Sequence, residues 1–131
     1  MEPKIELHVH LEVTVGPEDL LAMAGRNGVP LPAASAEDIA QLYRYRDFDR
    51  FIQVWTMTTN VMRTGTDFRQ VLVSYAAEAA ALGAVYIEGI FSPGDPAKRG
   101  VSWDAMFSGY CDGIQEARER HGVEVRLTPD L

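Results

Sequence analysis

Lys4-Ile5-Glu6-Leu7-His8-Val9-His10-Leu11-Glu12-Val13-Thr14-Val15 alternates along most of its length. Ile5, Leu7, Val9, Leu11, Val13 and Val15 take every second place, and Glu6, His8, His10 and Glu12 lie between them. A period of two belongs to a strand with one apolar face, so residues 4–15 read as a strand. On it His8 and His10 project from the same side, roughly 6 to 7 Å apart along the chain. Imidazoles at that spacing can lean toward one cation. Zinc accepts neutral imidazole and takes about four ligands, so the pair is half a site. The competing reading is a solvated edge strand. A polar side on an otherwise buried strand needs partners, which a metal and a substrate supply and which water supplies equally well.

The segments that follow read as helices. Pro17 suits a first helical turn, with Glu18 and Asp19 at the positive end of the dipole, and Asn27-Gly28 is a stop. Ser35 with Asp38 resembles a capping box and opens a short helix through about Tyr43. Asp47 caps a helix carrying Phe48, Phe51, Ile52, Trp55 and Met62. Thr64 with Asp67 again resembles a capping box, and that helix stops at Leu82-Gly83. Together residues 17–82 form a helical insert. Residues 84–91 (Ala-Val-Tyr-Ile-Glu-Gly-Ile-Phe) read as a buried strand and Ser92-Pro93-Gly94-Asp95-Pro96 as a loop. Residues 102–121 read as a helix capped by Ser102, and 123–127 as a third strand. Strand, helices, strand, helix, strand implies an α/β fold of parallel strands joined by crossover helices. All of residues 1–131 fall in one domain, and an end just after a buried strand implies an architecture left incomplete.

Composition narrows the function. The net charge is −7, from 12 basic and 19 acidic residues, which argues against nucleic acid as a partner, because phosphate binding needs clustered Lys and Arg. It argues equally against an anionic membrane surface. No stretch is apolar and long enough to span a bilayer, and Met1-Glu2-Pro3-Lys4 lacks the features of a signal peptide, so a cytoplasmic location is expected. Cys111 is the one cysteine; in mid-helix between aromatic residues it reads as a small buried hydrophobe. His121, at a helix C-terminus, answers the dipole. Glu88 and Arg126 are expected to form an inward ion pair between neighbouring strands.

Ile5-Glu6-Leu7-His8-Val9-His10-Leu11-Glu12 resembles the opening strand of the adenosine deaminase family, within the amidohydrolase superfamily. Leu42-Tyr43-Arg44-Tyr45-Arg46-Asp47-Phe48, followed by Phe51 and Trp55, resembles that family's helical insert. Val85-Tyr86-Ile87-Glu88 with Phe91-Ser92-Pro93 resembles its second strand and loop, and Val123-Glu124-Val125-Arg126-Leu127 its third strand. The resemblance implies an eight-stranded TIM-type (β/α)8 barrel, of which this chain holds the first three βα units. Such barrels take about 250 residues. It implies zinc as cofactor, with His8 and His10 as two of its ligands and a purine nucleoside as substrate. Glu12 matches the acidic position that contacts the ribose, and Phe48, Phe51 and Trp55 could wall a pocket for the base; ordinary core packing is the other reading of those three. The catalytic Glu, a further His and an Asp are expected beyond residue 131. Three positions depart from the family pattern: Val13 stands where Gly is usual, Gly16 where Arg is common, and Ile90 where many members have Arg.

The implied activity is hydrolytic deamination of a 6-aminopurine nucleoside, adenosine or an aminodeoxyfutalosine-like one, with residues 1–131 alone inactive. One alternative is a non-catalytic fragment that forms a homo-oligomer through open sheet edges. Another is a bare metal module, in which His8 and His10 from two chains complete one zinc site.

Overall fold

A computed structural model describes residues 2–44 and 46–130. Tyr45, within the insert motif, lies outside the described residues with Met1 and Leu131. The chain runs β1 (Lys4–His10), a 3-10 turn (Leu11–Val13), α1 (Pro17–Asn27), α2 (Ala36–Leu42), α3 (Phe48–Val61) and α4 (Gly65–Ala81). It continues through β2 (Ala84–Phe91), α5 (Gly94–Lys98), α6 (Trp103–His121) and β3 (Glu124–Pro129). The strands form one parallel sheet in the order β1-β2-β3.

The expected caps set the helix starts. Ser35, Asp47 and Ser102 accept from the backbone N–H of Asp38, Arg50 and Ala105, at 3.1, 2.9 and 3.0 Å. Thr64 and Asp67 form a reciprocal capping box. Gly28 and Gly122 end α1 and α6 in the left-handed conformation, both at φ +66°. Such a C-cap favours glycine, which has no Cβ to clash. The stretch read as a loop from Ser92 contains the short helix α5.

The first strand departs from its sequence pattern. It ends at His10 rather than Val15, and Leu11–Val13 turn into a 3-10 helix. Its register against β2 shifts between Glu6 and Val9, where His8 takes φ +66°. Strict alternation therefore fails. Ile5 and Leu7 are exposed, whereas Leu11 and Val15 are buried in the core. The Tyr75 hydroxyl of α4 donates to Glu6, so Glu6 serves to tie the strand to a helix.

The core fills the space between the sheet and its helices. Phe68 and Leu72 of α4, Met106 and Tyr110 of α6, Ile87 of β2 and Leu20 and Met23 of α1 are buried in it. α4 crosses α6 at glycines. A Cβ on Gly109 would stand 2.3 Å from the carbonyl oxygen of Gly65, so the two backbones touch where no side chain fits. Cys111, on the far side of α6 from this contact, is exposed; the helical phase that buries Gly109, Tyr110 and Gly113 turns it outward. Glu88 and Arg126 are register partners but form no ion pair. Arg126 pairs instead with Glu124 of its own strand at 3.5 Å, and Glu88 accepts from the Tyr86 hydroxyl at 2.7 Å. Among the described residues no helix is long and apolar enough to cross a membrane.

Candidate metal and substrate site

His8 and His10 close the first strand, and their rings meet edge to face with centroids 5.1 Å apart. The juxtaposition arises differently from a flat strand. His8 sits at a positive φ that side chains with a Cβ seldom adopt, and the kink brings its ring against His10. Backbone strain of this sort persists only where the surroundings enforce it, and it concentrates at functional sites.

His10 Nδ1 is buried with no hydrogen-bond partner among the described residues. A buried polar atom without a partner is costly, and a ligand bond to a cation removes that cost. The donor chemistry, two imidazoles at contact distance, fits zinc. It is a partial fit. Among the described residues no three His, Cys, Asp or Glu side chains stand together as a metal-binding group.

His10 opens onto a cleft of about 350 Å3, lined also by Val13, Phe51, Ile52, Trp55, Ser92 and Asp130. The strands deliver His10, Ser92 and Asp130 from their C-terminal ends, and α3 delivers the aromatic wall. In a parallel α/β sheet that end is where ligands bind. His10 lies 6.4 Å from Trp55 between ring centroids, and Trp55 lies 6.4 Å from Phe51. Trp55 is held by its indole N–H, which donates to Asp95 of α5 at 3.3 Å.

Two of the expected base-wall residues, Phe51 and Trp55, thus line the cleft with His10. Phe48 does not. It opens α3, is 72% exposed, and stacks on Phe51 at 6.1 Å without lining the cleft. Glu12 is not on a shared strand face with the histidines. It lies in the 3-10 turn, 2% exposed, behind Val13 and Ser92. The Ser92 N–H donates to its Oε1 at 2.5 Å, and Oε2 is buried without a partner among the described residues. Burial holds the Glu12 carboxyl above its ordinary range. The N–H groups of Ser92 and of Glu12 itself oppose that, and the negative charges of Asp130 and Asp95 add to it.

Sequence reading missed Ile52, Ser92, Asp95 and Asp130. Ser92 and Asp130 could have been found as the first residues past two parallel strands. Ile52 follows Phe51 in the helix and carries no separate signal, and Asp95 lies in a helix that the Gly-Asp-Pro run disguised as a loop.

The family model described as adenosine deaminase matches residues 3–129. An aminodeoxyfutalosine deaminase of Acidothermus cellulolyticus is 53% identical over 98% of this chain and 36% of its own length. An adenine deaminase of Streptomyces coelicolor is 38% identical over 95% of this chain and 37% of its own. Among solved structures, an adenine deaminase from Arthrobacter aurescens superposes with a TM-score of 0.90 at 30% identity, covering 98% of this chain and 39% of that one. A zinc-bound cog1816 amidohydrolase from Burkholderia ambifaria gives 0.79 at 25% identity, over 98% and 35%. The chain therefore spans a little over a third of the length of these relatives.

Proposed function

The chain belongs to the adenosine deaminase family, and from that membership we propose that it supplies two zinc ligands and one wall of the cleft for a nucleoside deaminase. The reaction is hydrolytic. Water adds to C6 of a 6-aminopurine, the amino group leaves as ammonia, and a 6-oxopurine remains. His8 and His10 would hold the metal, and what bound zinc supplies is an acidified water near neutral pH. Phe51 and Trp55 stack against the base beside His10 and keep bulk water from that face. Glu12, the acidic position that the resemblance sets against the ribose, has one carboxylate oxygen committed to Ser92 and the other buried away from the cleft lining, so in this conformation it anchors the 3-10 turn to the end of β2 rather than meeting a sugar hydroxyl. The substrate is a 6-aminopurine nucleoside, adenosine or an aminodeoxyfutalosine-like one, as the name of the 53%-identical relative supports. The remaining ligands and the catalytic acid-base group come from outside residues 1–131.

The observation that carries this reading is the edge-to-face histidine pair, 5.1 Å apart, with His10 opening on an aromatic cleft. Purified at its natural length, the protein should release ammonia from adenosine. His8→Ala and His10→Ala should each lower kcat/KM by about a thousandfold or more, since the loss removes water activation itself. Variants as active as the parent would sink the assignment. Adenine turned over more efficiently than any nucleoside would replace the substrate with the free base, the reading that the adenine deaminase relatives favour. Residues 1–131 alone should show no deamination.

A further inference from the structure

The segment between α1 and α2 builds another cavity, which shares no lining residue with the cleft beside His10. Gly28 ends α1 in the left-handed conformation, and Val29-Pro30-Leu31-Pro32 follows. The prolines have no N–H and keep the residues before them out of a helix, so the segment stays outside regular structure where it passes α3. The cavity that results measures about 350 Å3. Leu31 of that segment, Leu42 of α2, and Val54 and Met57 of α3 are among its walls, and all four are buried or half-buried.

Among the described residues that line it, Arg50 is the one with a charge. Arg50 is half-buried, and among the described residues its guanidinium makes no ion pair. Its N–H donors, set in a planar fork, match a carboxylate with two parallel bonds. Gln53 and Asn60 add neutral amides to the lining. Arg63 donates to Asn60 Oδ1 at 2.7 Å, which leaves the Asn60 N–H groups as donors. Apolar walls with a few polar groups and one unneutralised cation are the makeup of a small-ligand site, and the cation sets the charge of the ligand. A dianion would bring a second charge among apolar side chains with nothing to pair it. At about 3.6 residues per turn, Arg50, Val54 and Met57 lie on the side of α3 opposite Phe51, Ile52 and Trp55, so this cavity and the aromatic cleft stand back to back on one helix.

We propose that this cavity binds a small apolar monocarboxylate, with the carboxylate paired to Arg50 and the hydrocarbon body held between Leu31, Leu42, Val54 and Met57. The site is separate from the deaminase chemistry. None of the residues assigned to that reaction lines it, and both sites can be filled at once.

The test uses the protein at its natural length and two probes of the same shape, 4-phenylbutanoate and 4-phenylbutanamide, followed by NMR titration at low salt. The carboxylate should bind saturably and about tenfold or more tighter than the amide, the margin expected of one charge-assisted pair. Arg50→Gln should bring that margin down to about one. The Arg50 side chain holds no ion pair among the described residues, so its replacement leaves the fold intact. Arg46→Gln, at an exposed arginine outside the lining, should keep the margin. With methyl-labelled methionine, the phenyl protons should give NOEs to the Met57 methyl group, assigned by Met57→Leu. No saturable binding of the carboxylate, or equal affinities for the two probes, would overturn the site. So would a margin that survives Arg50→Gln, a margin lost equally in Arg46→Gln, or NOEs that bypass Met57. These readouts do not involve ammonia release, so the site and the deaminase assignment can fail separately.

Discussion

His8 takes φ +66° within a parallel strand, a conformation that costs a residue with a Cβ about 1–2 kcal/mol. The register shift between Glu6 and Val9 accommodates it, and its product is the ring contact with His10. The strain and the candidate metal site are thus the same feature. His8→Gly should relieve it, leaving the protein as stable as the parent or up to about 1 kcal/mol more so once glycine's extra chain entropy is set against the relief. Zinc retained after dialysis against a weak chelator should fall in the same variant. Urea unfolding together with metal analysis checks both halves. A large loss of stability in His8→Gly would mean that the imidazole contact, rather than the bound cation, holds the bulge. Asp67 makes the opposite kind of residue-scale case. It is 0% exposed. Burial alone would raise its carboxyl, but hydrogen bonds from Arg26, the N–H groups of Arg63 and Thr64, and Asn27 outweigh burial and hold it below the ordinary 3.8. A depressed carboxyl stabilises the fold above its unfolded value, and the contribution is lost as pH falls through the folded one. The protein should therefore lose stability below about pH 4. Asp67→Asn should lack that step and cost roughly 2–4 kcal/mol at neutral pH, because with its amide oxygen kept for the Arg63, Thr64 and Asn27 donors its NH2 group is set against the Arg26 guanidinium and the buried charge pairing is lost. Thermal unfolding of both proteins from pH 3 to pH 7 measures the difference; parallel curves would deny Asp67 this role.

At the scale of elements, the tightest constraint is the crossing of α4 and α6. A methyl group on Gly109 would lie 2.3 Å from the Gly65 carbonyl oxygen, and one on Gly113 3.3 Å from Leu72. Gly109→Ala must push the helices apart and should cost about 1–3 kcal/mol. Gly25 in α1 has nothing within 4 Å of an added Cβ, so Gly25→Ala should gain roughly 0.5–1 kcal/mol from helix propensity. Chemical denaturation of the two variants should move the midpoint in opposite directions. The same contrast shows what was legible in the chain. Helix starts at Ser35, Asp47, Thr64 and Ser102 and stops at Gly28 and Gly122 were readable because caps act through neighbours within four residues. The alternation of strands and helices gave the parallel α/β order for the same local reason. The length of β1 was not readable, because apolar alternation continues to Val15 while the chain turns at Leu11. Pairing with β2 and burial of Glu12 against Ser92 decide that turn, and both partners lie about 80 residues away in sequence. The grouping of His10, Phe51 and Trp55 about one cleft, with His8 against His10, is the one that spacing and resemblance suggested. The outward turn of Phe48, the exposure of Cys111 and the separation of Glu88 from Arg126 depend on helix phase and on competing partners, which spacing does not encode.

For the molecule as a whole, three parallel strands in the order β1-β2-β3 give each outer strand a single neighbour among the described residues. An all-parallel sheet is normally covered and closed on both sides, and an open edge is a template for another chain. β1 carries exposed Ile5 and Leu7 (65% and 62%), and α6 carries Trp103 and Phe107 (49% and 39%), stacked on each other at 5.6 Å. Apolar groups of this size along an edge strand, and stacked as a pair on a separate helix face, exceed what scattered surface residues present. Residues 1–131 prepared on their own should therefore associate at micromolar concentration, giving a light-scattering mass of two or more chains. Leu7→Lys, a charge on the open edge, should shift the population toward monomer without changing the circular dichroism, since Leu7 lies outside the core. A parent chain that stays monomeric would show that the helices already shield the sheet. A parent that associates equally with Leu7→Lys would move the contact from the β1 edge to the Trp103–Phe107 face, which Trp103→Glu then tests directly.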